Sequence, residues 1–180
     1  GDVRALNLGF EGGYTPALEG DEEPLAIFEE LAASISTDTS FSYGIDAAGS
    51  NVEATPEQLM EVYAGMSERF PLAYLEDPFH EEDFASHARL SEAIGERTTV
   101  VGDDVTVTNP ERMRTAAEAG SVGGVIIKPN QIGSVTETLS AVADARERGW
   151  KIVCSHRGGE TNDDFIADIA YGVSADGIKC

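Results

Sequence analysis

The sequence of 180 residues is long enough for one well-buried domain, and hydrophobic residues make up 41% of it. Its 33 acidic residues outnumber 12 Lys and Arg, so the formal net charge is −21, which disfavours nucleic acids and anionic membranes as partners. The apolar content argues against disorder, and the absence of a charged-then-apolar leader or an 18-residue apolar run leads us to expect neither a signal peptide nor a membrane span.

Helical patterns and short apolar runs alternate along the chain. In order, they predict a helix over 24–35, a strand over 41–46, a helix over 55–70, a strand over 72–77, a helix over 81–95, a strand over 98–104, a helix over 109–120, a strand over 122–128, a helix over 134–149, a strand over 150–156, a helix over 161–173 and a strand over 176–179. Thr55 and Gln58 form a capping-box pattern at one helix start. Alternation of this kind predicts a parallel sheet with crossover helices.

Each predicted strand has an ionisable residue at its last position or, for the strands over 72–77 and 98–104, at the position before it. These residues are Asp46, Glu76, Asp103, Lys128, His156 and Lys179. In a βα-barrel the carboxyl ends of all strands converge on one mouth, where the active sites of that fold lie. In a doubly wound sheet they would spread along an edge, and the first βα connections lack a GxGxxG fingerprint. The set therefore favours a barrel, although any one of these residues could instead mark a strand that exits to solvent.

The order of these residues, three acids followed by Lys, His and Lys, indicates a particular chemistry. Carboxylates from adjacent strands offer the oxygen ligands that suit Mg²⁺. A lysine beside a divalent cation gives up its proton more readily, and such a pair suits abstraction of a proton next to a substrate carboxylate. The neighbouring acids Asp77 and Asp104 are expected to orient the ligands rather than to bind metal.

Six segments, taken in order, resemble the enolase (phosphopyruvate hydratase) family. They are FEGGYTP (10–16), LEDPF (75–79), GDDVTVTNP (102–110), IIKPNQIGS (126–134), SHRGGET (155–161) and GIK (177–179). The resemblance implies that residues 1–180 form part of an enolase-type TIM (β/α)8 barrel domain of class α/β. That barrel would be incomplete, with about six βα units, and would lack its first strands and the family's N-terminal α+β domain.

The resemblance also implies roles in the reversible, Mg²⁺-dependent dehydration of 2-phosphoglycerate to phosphoenolpyruvate. Asp46, Glu76 and Asp103 match the ligands of a tightly bound Mg²⁺ that also engages the substrate. Lys128 matches the base that removes the C2 proton, and Glu11 matches the acid that helps the C3 hydroxyl leave. Pairing of a Lys or His base with Mg²⁺ is known for enolase-superfamily sites.

Further residues match the groups that bind the substrate and a second metal ion. Lys179 matches a lysine that pairs with the substrate carboxylate, and Ser155 lies in the loop that binds the second Mg²⁺. His156 faces the substrate, and Arg157 holds its phosphate. Gly158 stands where the family has a serine, and its backbone N–H is expected to replace part of that contact.

Other departures from the family keep two alternatives open. Phe10 replaces an aspartate before Glu11, and Cys180 replaces a threonine. The alternatives are a diverged enolase-like lyase acting on another hydroxy acid and a non-catalytic binding protein. The chain starts at Gly1 and stops at Cys180, so it is interpreted as cut at both ends and is expected to be inactive alone.

The remaining expectations concern context and packing. The resemblance implies a homodimer or larger homo-oligomer at full length and a cytoplasmic location, with surface or secreted forms known in the family. The acidic surface indicates a salt-rich cytoplasm, and the YTP and Pro129 signatures resemble archaeal forms. Phe79, Met113 and Trp150 are expected in the core, whereas His80 and His87 are expected at the surface.

Overall fold

A computed structural model describes residues 7–9, 13–35 and 39–180 of the chain. The chain divides into two compact units. The first comprises the described part of residues 1–41 together with 157–161, and the second comprises residues 42–156 and 162–180.

The first unit contains a short hairpin and one helix. Strands β1 (Asn7–Leu8) and β2 (Tyr14–Thr15) pair antiparallel, a feature that the sequence pattern did not predict. Helix α1 (Glu23–Ser34) follows, with a proline in its first turn, and confirms the helix predicted over 24–35. The predicted catalytic acid Glu11 and its neighbour Phe10 lie outside the described residues.

The second unit is built on a parallel sheet of six strands. They are β3 (Tyr43–Asp46), β4 (Leu72–Glu76), β5 (Thr99–Gly102), β6 (Gly124–Ile127), β7 (Lys151–Ser155) and β8 (Gly177–Lys179). Neighbours in the chain are neighbours in the sheet, and every pair is parallel. The predicted parallel sheet is therefore confirmed, with six strands and five βα crossovers between them among the described residues.

The sheet is strongly curled. In a flat sheet with strands about 4.8 Å apart, the edge strands β3 and β8 would lie about 24 Å from each other. Yet the Nζ atom of Lys179 on β8 lies 2.6 Å from Oδ2 of Asp46 on β3. The carboxyl ends of the two edge strands are thus close to each other, as in a βα-barrel that lacks some of its strands.

Helices connect consecutive strands. They are α2 (Pro56–Arg69), α3 (Phe84–Ile94), α4 (Pro110–Ala119), α5 (Pro129–Ile132), α6 (Val135–Glu147) and α7 (Phe165–Gly172), with a 3-10 turn at Gly49–Asn51. The capping box at α2 is confirmed, since Gln58 N donates to Thr55 Oγ1 and Thr55 N donates to Gln58 Oε1. The one-turn helix α5 was not predicted. None of the helices in the described residues has the length and apolar character needed to cross a membrane.

The core lies between the sheet and its covering helices. All four residues of β6 are buried, as expected for a parallel strand covered on both faces. Phe79, Met113 and Trp150 are buried, which confirms their predicted core positions.

His87 is the exception among these packing predictions, because it is fully buried rather than at the surface. Its ring meets the ring of Phe79 edge-on, with centroids 5.4 Å apart. Its Nδ1 lies 2.8 Å from the carbonyl oxygen of Asp83, and because that oxygen can only accept, Nδ1 carries the proton. Nε2 is buried without a hydrogen-bond partner among the described residues. Burial therefore lowers the pKa of His87.

This environment predicts a measurable loss of stability in mild acid. The unfolded chain takes up a proton at His87 below about pH 6.5, whereas the folded chain resists it, so stability falls as pH drops from about 6.5 towards the lower folded pKa. In urea unfolding, the wild type should lose about 1 kcal/mol more than His87→Leu over the first pH unit below that value. The exposed His80 offers a matched control for the loss of a histidine, and the slope of His80→Gln is compared with that of His87→Leu. Equal slopes for His87→Leu and the wild type would contradict the prediction.

Candidate active site

All six strand-end residues predicted from the sequence lie at the carboxyl edge of the curled sheet. Asp46, Glu76 and Lys179 are the last residues of β3, β4 and β8. The other three, Asp103, Lys128 and His156, lie one position beyond β5, β6 and β7. The predicted strands were therefore too long at four ends, by one residue after β4, β6 and β7 and by two after β5, but the edge that carries the side chains is the one expected.

Lys179 joins two of the predicted metal ligands. Its ammonium donates to Asp46 Oδ2 at 2.6 Å and to Glu76 Oε1 at 2.7 Å. Burial disfavours the charged form of Lys179, but these hydrogen bonds outweigh that effect and raise its pKa. Glu76 is fully buried, and burial raises its pKa to about 7 against the opposing effect of the Lys179 hydrogen bond.

Glu76 has a second partner that sequence reasoning missed. The hydroxyl of Tyr74 donates a hydrogen bond to Glu76 Oε2. Burial and this hydrogen bond both raise the pKa of Tyr74, so the phenol remains a protonated donor. The available signal was the spacing, since residues i and i+2 of a strand point to the same face.

Lys128 and Asp103 form the second ion pair of the mouth. The Lys128 ammonium donates to Asp103 Oδ2, and the two side chains are only 12% and 11% exposed. Thr108 Oγ1 accepts a hydrogen bond from the backbone N–H of Lys128 at 2.9 Å, which fixes the start of the loop after β6. The other oxygen of Asp103, Oδ1, is buried and has no hydrogen-bond partner among the described residues.

Asp77 organises the turn that carries Asp103. Its Oδ1 accepts from Asp103 N at 2.9 Å and its Oδ2 accepts from Asp104 N at 2.5 Å. Burial raises the pKa of Asp77 to about 7, while the two backbone N–H groups lower it. Its backbone is left-handed, with φ of 41°. Asp77 thus has the supporting place expected of an acid next to a metal ligand.

The residues at this edge fit a divalent cation. Carboxylate oxygens of Asp77, Asp103 and Asp104 lie within 4.8 Å of one another, and of the three ligands predicted from the sequence only Asp103 belongs to this group. Both oxygens of Asp77 already accept backbone hydrogen bonds, whereas Asp103 Oδ1 is buried and unpartnered and would gain most from a cation. An all-oxygen donor set suits Mg²⁺, Ca²⁺ or Mn²⁺. With Asp46 and Glu76, the acids described at this edge outnumber its two lysines.

Among the remaining predicted site residues, Ser155 and His156 make hydrogen bonds within the second unit. Ser155 is buried, and its hydroxyl donates to the carbonyl of His156 at 2.9 Å. The backbone N–H of His156 donates to the carbonyl of Lys179, which ties β7 to β8. Arg157 and Gly158 belong to the first unit, so their contact with a phosphate stays a prediction.

A curled parallel sheet with acids and lysines gathered at its carboxyl edge defines a βα-barrel protein whose mouth can bind a divalent cation. The sequence model of the family described as "Enolase, C-terminal TIM barrel domain" matches residues 42–180. The chain therefore belongs to the enolase family, which confirms the resemblance and the fold class predicted from the sequence. The assignment of residues 1–41 to the same domain stays a prediction.

Curated relatives agree with this assignment. The enolase of Methanopyrus kandleri is 36% identical over 190 residues, which cover 97% of this chain and 44% of that protein. The enolase of Aeropyrum pernix is 37% identical over 188 residues, with coverage of 97% and 44%. That of Metallosphaera sedula is 39% identical over 185 residues, with coverage of 96% and 44%. The chain thus spans less than half the length of these relatives.

Proposed function

We propose that this chain supplies the metal- and substrate-binding mouth of a phosphopyruvate hydratase, which interconverts 2-phosphoglycerate and phosphoenolpyruvate by reversible dehydration. The observation that carries the proposal is the state of Asp103. One oxygen of this buried carboxylate holds the Lys128 ammonium, and the other has no partner among the described residues. A base and an open cation ligand therefore meet at one side chain.

Lys128 is the proposed base for the C2 proton of the substrate. Its side chain is largely buried, its backbone is fixed by Thr108, and its ammonium is oriented by Asp103. Such restraint holds the amine in one place, so that proton transfer does not require a search among rotamers. Proton removal next to a carboxylate leaves a highly charged intermediate, which the mouth must stabilise.

Asp46, Glu76 and Asp103 would hold the Mg²⁺, and Ser155 would contribute to a second ion. Bound Mg²⁺ would supply the positive charge that lets an anionic substrate enter an acidic mouth and that stabilises the charge formed on proton removal. Lys179, now between Asp46 and Glu76, would pair with the substrate carboxylate.

Four further residues complete the proposed substrate contacts. Glu11 would assist departure of the C3 hydroxyl, His156 would face the substrate, and Arg157 with the Gly158 backbone would bind the phosphate. Because the chain covers 44% of its relatives, we propose that it is inactive alone. We further propose a cytoplasmic, salt-adapted homo-oligomer as the working form.

Turnover tests the proposal directly. The product of the complete reading frame that contains this chain is mixed with 2-phosphoglycerate, Mg²⁺ and molar salt, and phosphoenolpyruvate is followed by its ultraviolet absorbance. We expect activity that disappears with a chelator and returns with Mg²⁺, because the acids at the mouth would otherwise repel the substrate. No phosphoenolpyruvate under any of these conditions would refute the assignment.

A second candidate is a related lyase that acts on another hydroxy acid. Gly158 favours it, because a glycine removes the hydroxyl that the family's serine would offer to a phosphate. Turnover of a non-phosphorylated 3-hydroxy acid in preference to 2-phosphoglycerate would support this candidate. A purely non-catalytic role fits less well, since the structure brings the predicted acids and both lysines to one edge.

A further inference from the structure

Tyr74 lies opposite a glycine on the neighbouring strand, which leaves space for its large ring. It pairs in register with Gly44 on the neighbouring strand β3. A Cβ atom on Gly44 would lie 2.9 Å from Tyr74 Cδ1 and 3.4 Å from Tyr74 Cβ. The absence of a side chain at residue 44 therefore gives the Tyr74 ring its room inside the curled sheet.

The ring position brings the Tyr74 hydroxyl to one particular oxygen of Glu76. Tyr74 donates to Oε2, while the Lys179 ammonium lies 2.7 Å from Oε1. Each oxygen of the carboxylate thus has a different donor, so rotation of the carboxylate would break both hydrogen bonds. Glu76 is fully buried, so bulk water cannot replace either of these hydrogen bonds.

A simpler role for Tyr74 would be to fill space. It lines a cavity of about 720 Å³ inside the curled sheet, together with residues such as Val101 and Val153. A phenylalanine ring would fill that space equally well. Space filling does not explain the hydroxyl. A variant that lacks only the hydroxyl therefore distinguishes space filling from hydrogen bonding.

We propose that Tyr74, seated on Gly44, is a positioning residue that holds Oε2 of Glu76, so that Oε1 is the oxygen on which a divalent cation would replace the Lys179 ammonium. This inference rests on the proposed function, because it takes Glu76 as a metal ligand. Partners that orient a metal ligand typically contribute 10- to 100-fold to metal affinity. The hydroxyl of Tyr74 is therefore expected to matter for binding of the cation even before any substrate is present.

Calorimetric titration with Mg²⁺ of the product of the complete reading frame that contains this chain tests the inference. We expect Tyr74→Phe to weaken Mg²⁺ binding roughly 10-fold or more. The exposed Tyr171 offers a matched control, and Tyr171→Phe should bind Mg²⁺ as the wild type does. Gly44→Ala should also weaken binding, because its methyl group displaces the ring. Wild-type affinity in Tyr74→Phe would overturn the proposal.

A spectroscopic signal distinguishes positioning from packing. Cation binding at Glu76 changes the charge next to the Tyr74 hydroxyl, so saturating Mg²⁺ should alter the ultraviolet difference spectrum in the tyrosine band. The change should persist in Tyr171→Phe and vanish in Tyr74→Phe. No tyrosine signal in the wild type, which needs no variant to fold, would overturn the proposal.

The outcomes separate this inference from the proposed function. If the wild type binds no Mg²⁺ by calorimetry, the proposed metal site and the role of Tyr74 both fail. If the wild type binds Mg²⁺ and Tyr74→Phe binds it equally well, only the role of Tyr74 fails. Circular dichroism and the urea midpoint of each variant without metal establish that the compared proteins are folded.

Discussion

Replacing Lys128 with alanine is expected to lower kcat for dehydration of 2-phosphoglycerate by roughly 10²- to 10⁴-fold, the usual contribution of a general base. The Lys128 side chain is largely buried, and its ammonium is held by Asp103. The other amine described at this edge, that of Lys179, could replace it only by breaking its hydrogen bonds to Asp46 and Glu76. The measurement is turnover by the product of the complete reading frame with Mg²⁺ present.

Two further variants show whether the loss reflects proton transfer. Lys128→Arg keeps a positive charge next to Asp103 but cannot give up its proton at neutral pH, so it should remain folded and stay inactive. Lys151, at the opposite end of β7, is exposed and pairs with Asp176 at 3.5 Å. Lys151→Ala should keep wild-type turnover. An active Lys128→Arg protein would show that this lysine is not the base.

Replacing Asp77 with alanine is expected to reduce the free energy of unfolding by about 3 kcal/mol. The change leaves two backbone N–H groups, those of Asp103 and Asp104, without their acceptors. It also places alanine in a left-handed conformation at φ of 41°, which aspartate tolerates better. Urea unfolding of the 180-residue chain measures the difference.

Matched variants make that result specific. Asp77→Asn keeps one side-chain oxygen as an acceptor and should lose less stability than Asp77→Ala. Asp164, at the start of α7, is exposed and makes no side-chain cap, so Asp164→Ala should change the free energy of unfolding by less than about 0.5 kcal/mol. An equal effect of Asp77→Ala and Asp164→Ala would show that the two hydrogen bonds contribute nothing net.

The sequence alone predicted the features that depend on periodicity. Alternating helical and apolar segments predicted the parallel sheet, and the common direction of its strands predicted that Asp46, Lys128 and the other strand-end residues would share one edge. The predicted strand ends lay one residue too far along the chain for β4, β6 and β7 and two too far for β5, because the hydrogen-bond ladder, not the residue type, decides where a strand stops.

Features that depend on contacts between distant residues could not be predicted in this way. The two-residue strands β1 and β2 and the single turn α5 are too short to show a period. Burial of His87 did have a signal, since His87, Leu90 and Ile94 share one face of α3. The pairing of Tyr74 with Glu76 had a signal in their spacing, but the ring position that completes the hydrogen bond depends on Gly44 of the neighbouring strand.

The contact between Lys179 and Asp46 also bears on when the mouth can form. These residues are 133 positions apart in the chain, and Lys179 follows every other residue of the sheet. Contacts of such high sequence separation form late, after shorter loops have closed. During synthesis, Asp46 and Glu76 therefore leave the ribosome long before their lysine does. The acids of the mouth gain their second lysine only once translation has reached the last strand of the sheet.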